Sequence, residues 1–173
     1  MRKREKESAP GTWQEGDRAP DFEGVCHDGR VIRLCDFRGQ WVVLYFYPRD
    51  HTPGCTLEAC SFRDTYDAFT AHNTTVVGVS SDSTSSHARF VEKLRLPFYL
   101  VSDPKGNIVR AYGALGTKRF MGRLFQGTRR MTFLIDPDGY IRRIWHKVRP
   151  LGHAQEVLAE LSALQQQKPH PDT

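Results

Sequence analysis

The residues best suited to covalent chemistry fall in one stretch, Tyr47-Pro48-Arg49-Asp50-His51-Thr52-Pro53-Gly54-Cys55-Thr56-Leu57-Glu58-Ala59-Cys60. Thr52 is a good helix N-cap, and Pro53 suits the first helical position because its missing N–H would have no partner there. That assignment puts Cys55 in the first turn, among unpaired backbone N–H groups and at the positive end of the helix dipole. A thiolate there is stabilised like any bound anion. An unperturbed thiol with a pKa of about 8.5 is only a few per cent ionised at pH 7, and lowering that pKa by about two units takes about 2.7 kcal/mol. A helix terminus typically supplies about 0.3–1 kcal/mol and at most about 2. A cation must therefore supply the rest. The bland alternative is an inert, buried cysteine at a helix start.

Cys60 shifts that balance. Five residues on an ideal helix give a rise of about 7.5 Å and a rotation of about 140°, so the Cα atoms lie about 8.6 Å apart. A disulfide needs them within about 7 Å. The two cysteines are either unrelated or form a redox couple that requires the first turns to unwind, and helix ends open readily.

The elements that must position this stretch follow from the apolar patterning. Trp41-Val42-Val43-Leu44-Tyr45-Phe46-Tyr47 is apolar at every position, which suits a central strand covered on both faces, and Thr74–Val79 and Thr132–Ile135 look the same. Residues 22–26 and 30–34 flank Asp28-Gly29 and read as a hairpin with a two-residue turn; a further strand at Tyr140–Trp145 follows Asp138-Gly139. Helical patterns cover 53–72, 84–95 and the region of Val157, Leu158, Leu161 and Leu164. Strands alternating with helices predict an α/β fold, a central mixed sheet flanked by helices on both faces. Residues 1–15 and 166–173 are polar and aperiodic, so frayed ends are expected around one domain at 16–165.

Composition narrows the function. A chain of 173 residues fits one domain, and no run of about 18 apolar residues offers a membrane span. The N-terminus is charged without the apolar stretch of a secretory signal, so a cytoplasmic location is expected. There thiols stay reduced, and Cys26, Cys35, Cys55 and Cys60 form no Cys-x-x-Cys pair. The net charge of +5 sits partly in the N-terminal head, where no aromatic residues interleave with the basic ones. Neither a nucleic-acid partner nor a membrane partner is expected.

The stretch around Cys55 resembles the peroxiredoxins, specifically the bacterioferritin comigratory protein or peroxiredoxin Q subfamily. Pro48-x-x-x-Thr52-x-x-Cys55 is similar to the family's peroxidatic motif, with Cys60 where many members keep a resolving cysteine. Gly16-Asp17-Arg18-Ala19-Pro20-Asp21-Phe22 resembles the lead-in segment, Tyr112-Gly113, Lys118 and Phe120-Met121-Gly122 a later loop, and Arg130-Met131-Thr132-Phe133-Leu134-Ile135-Asp136 the strand that brings in a catalytic arginine. The resemblance covers about 16–165 and implies a thioredoxin-like fold. Strand alternation lets only one of Arg129 and Arg130 point at Cys55, and the spacing alone leaves both open. The family pattern selects Arg130.

On that resemblance the Cys55 thiolate attacks a peroxide oxygen, leaving a sulfenic acid. Arg130, the Gly54 and Cys55 N–H groups and the Thr52 hydroxyl stabilise the departing oxygen. Thr52 is expected to accept from the helix terminus while aiming its O–H at sulfur or substrate. Pro48 and Pro53 shape the pocket, Tyr47 lines it, and Glu58 orients Arg130. Cys60 then closes a disulfide within the chain, compatible with a monomer, and thioredoxin or a similar dithiol reduces it. No metal or organic cofactor is expected. With Asp28-Gly29 as the turn, Cys26 faces Val31 and Cys35 faces Phe22, too far apart to bridge. His51 reads as a solvated loop histidine, and Lys118, Arg119, Arg123 and Arg129 as a solvated loop or a basic rim for an acidic reductant. The rival functions are a disulfide reductase, a redox sensor or holdase, and a zinc site of Cys26, His27 and Cys35.

Overall fold

The computed structural model describes residues 12–167. The expected frayed ends fall mostly on residues 1–11 and 168–173, outside the described residues. Within them Trp13 packs on the core and donates from its indole N–H to the Ala111 carbonyl at 2.7 Å.

Three strands run parallel at the centre: β3 (Trp41–Phe46), β4 (Thr74–Ser80) and β5 (Tyr99–Ser102). Antiparallel strands extend both edges, β1 (Glu23–Cys26) and β2 (Val31–Arg33) beyond β5, and β8 (Met131–Ile135) and β9 (Ile141–Trp145) beyond β3. The seven-strand order is β2-β1-β5-β4-β3-β8-β9. A separate pair, β6 (Leu115–Phe120) and β7 (Arg123–Thr128), forms its own hairpin.

The central strand explains the two-sided core. Successive β3 residues point to opposite faces. Val42, Leu44 and Phe46 meet the N-terminal segment and α4 (Asn107–Ala111), while Val43 and Tyr45 meet α1 (Pro53–Asp64), α2 (Tyr66–Ala71), α3 (Thr84–Leu94) and α5 (His153–Gln166). All six β3 residues are buried, as a continuous apolar strand requires. This mixed sheet with helices on both faces is a thioredoxin-like fold.

Two local expectations are corrected. The hairpin between β1 and β2 pairs Val25 with Val31, and the Cys26 N–H donates to the Arg30 carbonyl, so the connection has three residues, His27, Asp28 and Gly29. Gly29 takes φ +87°, and the Asp28 carboxylate accepts from the Arg30 N–H, which closes the longer turn. Cys35 consequently lies in a 3-10 turn over Leu34–Phe37 instead of facing Phe22 on a strand. The helix expected over 53–72 is broken at Thr65, whose hydroxyl donates to the Ser61 carbonyl. Each half then follows its own surface: α1 packs on α5, and α2 on β4.

Candidate active site

The loop between β3 and α1 is built to present one sulfur. Thr52 occupies the N-cap with extended backbone, Pro53 takes the first helical position, and the Thr56 N–H makes the first intrahelical bond, to the Thr52 carbonyl. The N–H groups of Gly54 and Cys55 lie ahead of that bond, where a helix start leaves donors free for an anion. Cys55 is only 1% exposed, yet it sits at the end of the helix where the dipole is positive.

Arg130 reaches Cys55 from the start of β8. Its Nη2 lies 3.5 Å from the Cys55 sulfur, and its Nη1 donates to Glu58 Oε1 at 3.1 Å. Arg129 points the other way, donating to the Gly113 carbonyl at 2.8 Å. Gly54 leaves room for the guanidinium: a Cβ there would stand 3.1 Å from Arg130 Nη2. Glu58 lies one turn after Cys55 and is fully buried. Burial pushes its carboxyl up to about 7, although Arg130 pulls in the opposite direction. Its second oxygen and the nearby Tyr45 hydroxyl are buried without a hydrogen-bond partner among the described residues.

Thr52 differs from expectation in detail. Its hydroxyl donates to the Arg49 carbonyl at 2.8 Å and makes no side-chain cap. The reason is the loop's tight path, in which His51 adopts φ +63° and the Thr52 side chain folds back to close the turn. Tyr47, expected to line the pocket, is buried and donates to Asp50 Oδ1 at 2.7 Å. Pro48 is half-buried and Pro53 exposed on the two shoulders of the loop, and the exposed His51 packs its ring at a tilt against Phe90, with centroids 5.1 Å apart.

Asp50, which no sequence motif singles out, is the loop's anchor. Its carboxylate meets His87 Nδ1 at 2.6 Å and the Ser86 hydroxyl at 2.9 Å, while its N–H donates to Asp82 at 2.8 Å. His87 Nε2 continues the chain to the Val101 carbonyl at 3.0 Å. Burial alone would raise the Asp50 pKa, but hydrogen bonds from His87 and Tyr47 hold it below the usual carboxylate value. One signal was present: His87 shares a helical face with the apolar Phe90 and Val91, and a polar residue on a core face needs a partner. The loop that carries Cys55 is thereby fixed to α3 and the start of that helix.

Cys60 lies on the same unbroken helix as Cys55, and all four cysteines are free thiols. Cys26 is buried beside His27, with Sγ 3.2 Å from Nδ1, whereas Cys35 is exposed. Two groups have metal-compatible spacing among the described residues: Cys26, His27 and Asp28, and Asp50, Asp82 and His87. Cys35 joins neither. The second group is already occupied by the hydrogen bonds that hold the loop. No helix among the described residues is long and apolar enough to cross a membrane.

Comparison with known proteins identifies the family. Residues 15–144 match the AhpC/TSA family. Peroxiredoxin Bcp of Bacillus subtilis is 41% identical over 150 residues, covering 87% of this chain and 96% of the relative. Peroxiredoxin Bcp of Escherichia coli is 41% identical over 143 residues, 83% of this chain and 92% of the relative. The bacterioferritin comigratory protein of Xanthomonas campestris superposes with a TM-score of 0.80 at 37% identity, covering 83% of this chain and 91% of that one. PrxQ of Xylella fastidiosa gives 0.84 at 35% identity, covering 89% and 98%. Peroxidase chemistry is thereby selected over the disulfide-reductase reading. The chain belongs to the AhpC/TSA family, as a thiol peroxidase of its Bcp/PrxQ peroxiredoxins.

Proposed function

We propose that Cys55 is the peroxidatic nucleophile and Cys60 the resolving thiol of an intramolecular two-cysteine cycle. The observation that carries this reading is the guanidinium of Arg130, which spans the Cys55 sulfur and Glu58. The Cys55 thiolate attacks one oxygen of a peroxide R–O–O–H in line. The S–O bond forms as the O–O bond breaks, and the alkoxide or hydroxide leaves as alcohol or water after taking a proton. Arg130 and the N–H groups of Gly54 and Cys55 face the charge that builds on that oxygen. Thr52 donates to Arg49 in the resting state, so a direct contact with peroxide requires its hydroxyl to turn.

Cys60 next attacks the sulfenic sulfur and expels water. Helical geometry holds the two Cα atoms about 8.6 Å apart, beyond disulfide reach, so the first turns of α1 must open. Opening breaks the Arg130–Glu58 pair and exposes buried Cys55, Glu58 and Ala59. An external dithiol, thioredoxin or a similar protein, returns both thiols by exchange and leaves as a disulfide. Because one chain supplies both sulfurs, the cycle needs no second subunit, and a monomer suffices. Hydrogen peroxide and organic hydroperoxides are the substrate class; alkyl peroxide reduction is attributed to the Xanthomonas campestris homologue.

The test is peroxide consumption coupled through thioredoxin and its reductase to NADPH. Cys55→Ser is expected to be inactive. Cys60→Ser is expected to form one sulfenic acid per chain and then turn over poorly. Full turnover by Cys55→Ser would overturn the nucleophile assignment, and full turnover by Cys60→Ser would overturn the resolving step.

A further inference from the structure

The hairpin of β6 and β7 has no sheet neighbour and carries an unusual surface. Its strands pair Lys118 with Phe125, Arg119 with Leu124 and Phe120 with Arg123. The turn is Met121-Gly122, both with positive φ (50° and 76°), the two-residue geometry that matches strand twist. Met121 is 87% exposed and Phe120 67%, and Leu124 and Phe125 are exposed as well. A lone two-stranded hairpin is at best marginally stable in water and gains nothing from apolar side chains that stay wet. Such a patch marks a surface that another molecule covers.

The charge says what kind of molecule. Between residues 115 and 130 there are Lys118, Arg119, Arg123, Arg129 and Arg130 and no acidic residue. Directly opposed residues share a face, so Lys118, Phe120, Arg123 and Phe125 form one mixed aromatic and cationic face. Aromatic residues, Met and Arg are the types enriched in protein–protein interfaces. The tip suits a lipid bilayer less well, because Arg123 sits opposite Phe120 at the turn, where the deepest penetration would occur.

The hairpin is also tied to the reacting centre. At its base the Arg129 N–H donates to the Ala114 carbonyl, and the Arg129 side chain lies across Gly116. The next residue, Arg130, holds Cys55. We infer that the β6–β7 hairpin is the docking surface for an acidic dithiol protein that reduces the Cys55–Cys60 disulfide. This inference rests on the two-cysteine cycle proposed above. Six-residue strands project roughly 20 Å, within the footprint of a small protein that reaches the disulfide. The cations steer an acidic partner, and Phe120, Met121 and Phe125 then seat it.

The experiment compares wild type with Lys118→Glu/Arg123→Glu and with Phe120→Ser/Phe125→Ser, all on the docking face, using thioredoxin or dithiothreitol as reductant. Both variants are expected to lose about tenfold or more in kcat/KM for thioredoxin, mainly through KM, and to keep dithiothreitol-supported turnover. The wild-type thioredoxin reaction is expected to slow with salt, and the charge variant to lose that dependence. Thioredoxin kinetics within about twofold of wild type in both variants would overturn the docking surface while leaving the cycle intact. Unchanged thioredoxin kinetics together with lost sedimentation on phosphatidylserine/phosphatidylcholine vesicles would assign the hairpin to a membrane instead. Wild type that turns over with dithiothreitol but not thioredoxin would overturn both the reductant and its docking site.

Discussion

Cys26 and Cys55 are buried to the same degree, 0% and 1% exposed, yet their surroundings differ in every charge that matters to a thiol. Cys26 ends β1 beside His27 and Asp28. Burial pushes its thiol up, and the Asp28 charge adds to that. Burial also pushes His27 down, which disfavours its charged form. Cys55 instead begins a helix, with Arg130 at 3.5 Å from its sulfur. With Cys55 proposed as the nucleophile and Cys26 given no role, burial alone does not separate the two. What separates them is whether the elements around the sulfur converge positive groups on it.

Substitutions can break this contrast. The largest effect is expected from Arg130→Met, which removes the guanidinium while keeping an apolar stem. The second-order rate of peroxide reaction, followed by stopped flow, is expected to fall about 10²–10³-fold. Arg129→Met, which points to Gly113, is expected to stay within about twofold for the same step. Equal losses in the two variants would remove Arg130 from the chemistry.

Glu58 is expected to give a smaller and pH-dependent effect. Its carboxyl is raised from the ordinary 4.5 to about 7 in the folded chain. The folded state thus binds that proton more tightly than the unfolded state does. The resulting stabilisation is fully present below about 4.5 and is lost as pH rises through about 7, on the order of 3 kcal/mol at most. Glu58→Gln removes the proton and with it this slope. Urea unfolding at pH 5 and pH 8 is expected to show wild type losing stability relative to the variant as pH rises. Parallel pH dependences would contradict the buried, raised carboxyl.

Asp50→Asn tests the anchor that the Cys26 hairpin lacks. It removes the carboxylate that His87, Tyr47 and Ser86 face, and a stability loss of about 1–3 kcal/mol is expected in denaturant unfolding. The peroxide rate is expected to fall less than in Arg130→Met. The smallest effect belongs to Cys26→Ser: peroxidase activity unchanged, with about 1–3 kcal/mol of stability lost because a hydroxyl is buried where a sulfur was.

Much of this contrast was legible from residue order. The apolar runs that became β3, β4 and β8 needed no tertiary information, since continuous apolarity over a strand length implies cover on both faces. Thr52-Pro53 located the helix start, and a motif resemblance chose Arg130 where alternation left two arginines open. Other features depended on atoms distant in sequence. The Asp50–His87 link joins residues 37 apart, and nothing local announces it except a histidine on an apolar helix face. The register of β1 and β2 turned on the positive φ of Gly29, which a two-residue and a three-residue turn both allow. The β6–β7 hairpin looks only like a loop in the sequence, because its strands interleave charged and apolar residues without a buried face.

The most direct test of the contrast is to oxidise the reduced protein with one equivalent of hydrogen peroxide, alkylate the remaining thiols and map the peptides by mass spectrometry. The expected result is a Cys55–Cys60 disulfide, with Cys26 and Cys35 both alkylated. Free Cys55 beside oxidised Cys26 would contradict the account, because the sulfur without converging positive charge would then be the one that reacts.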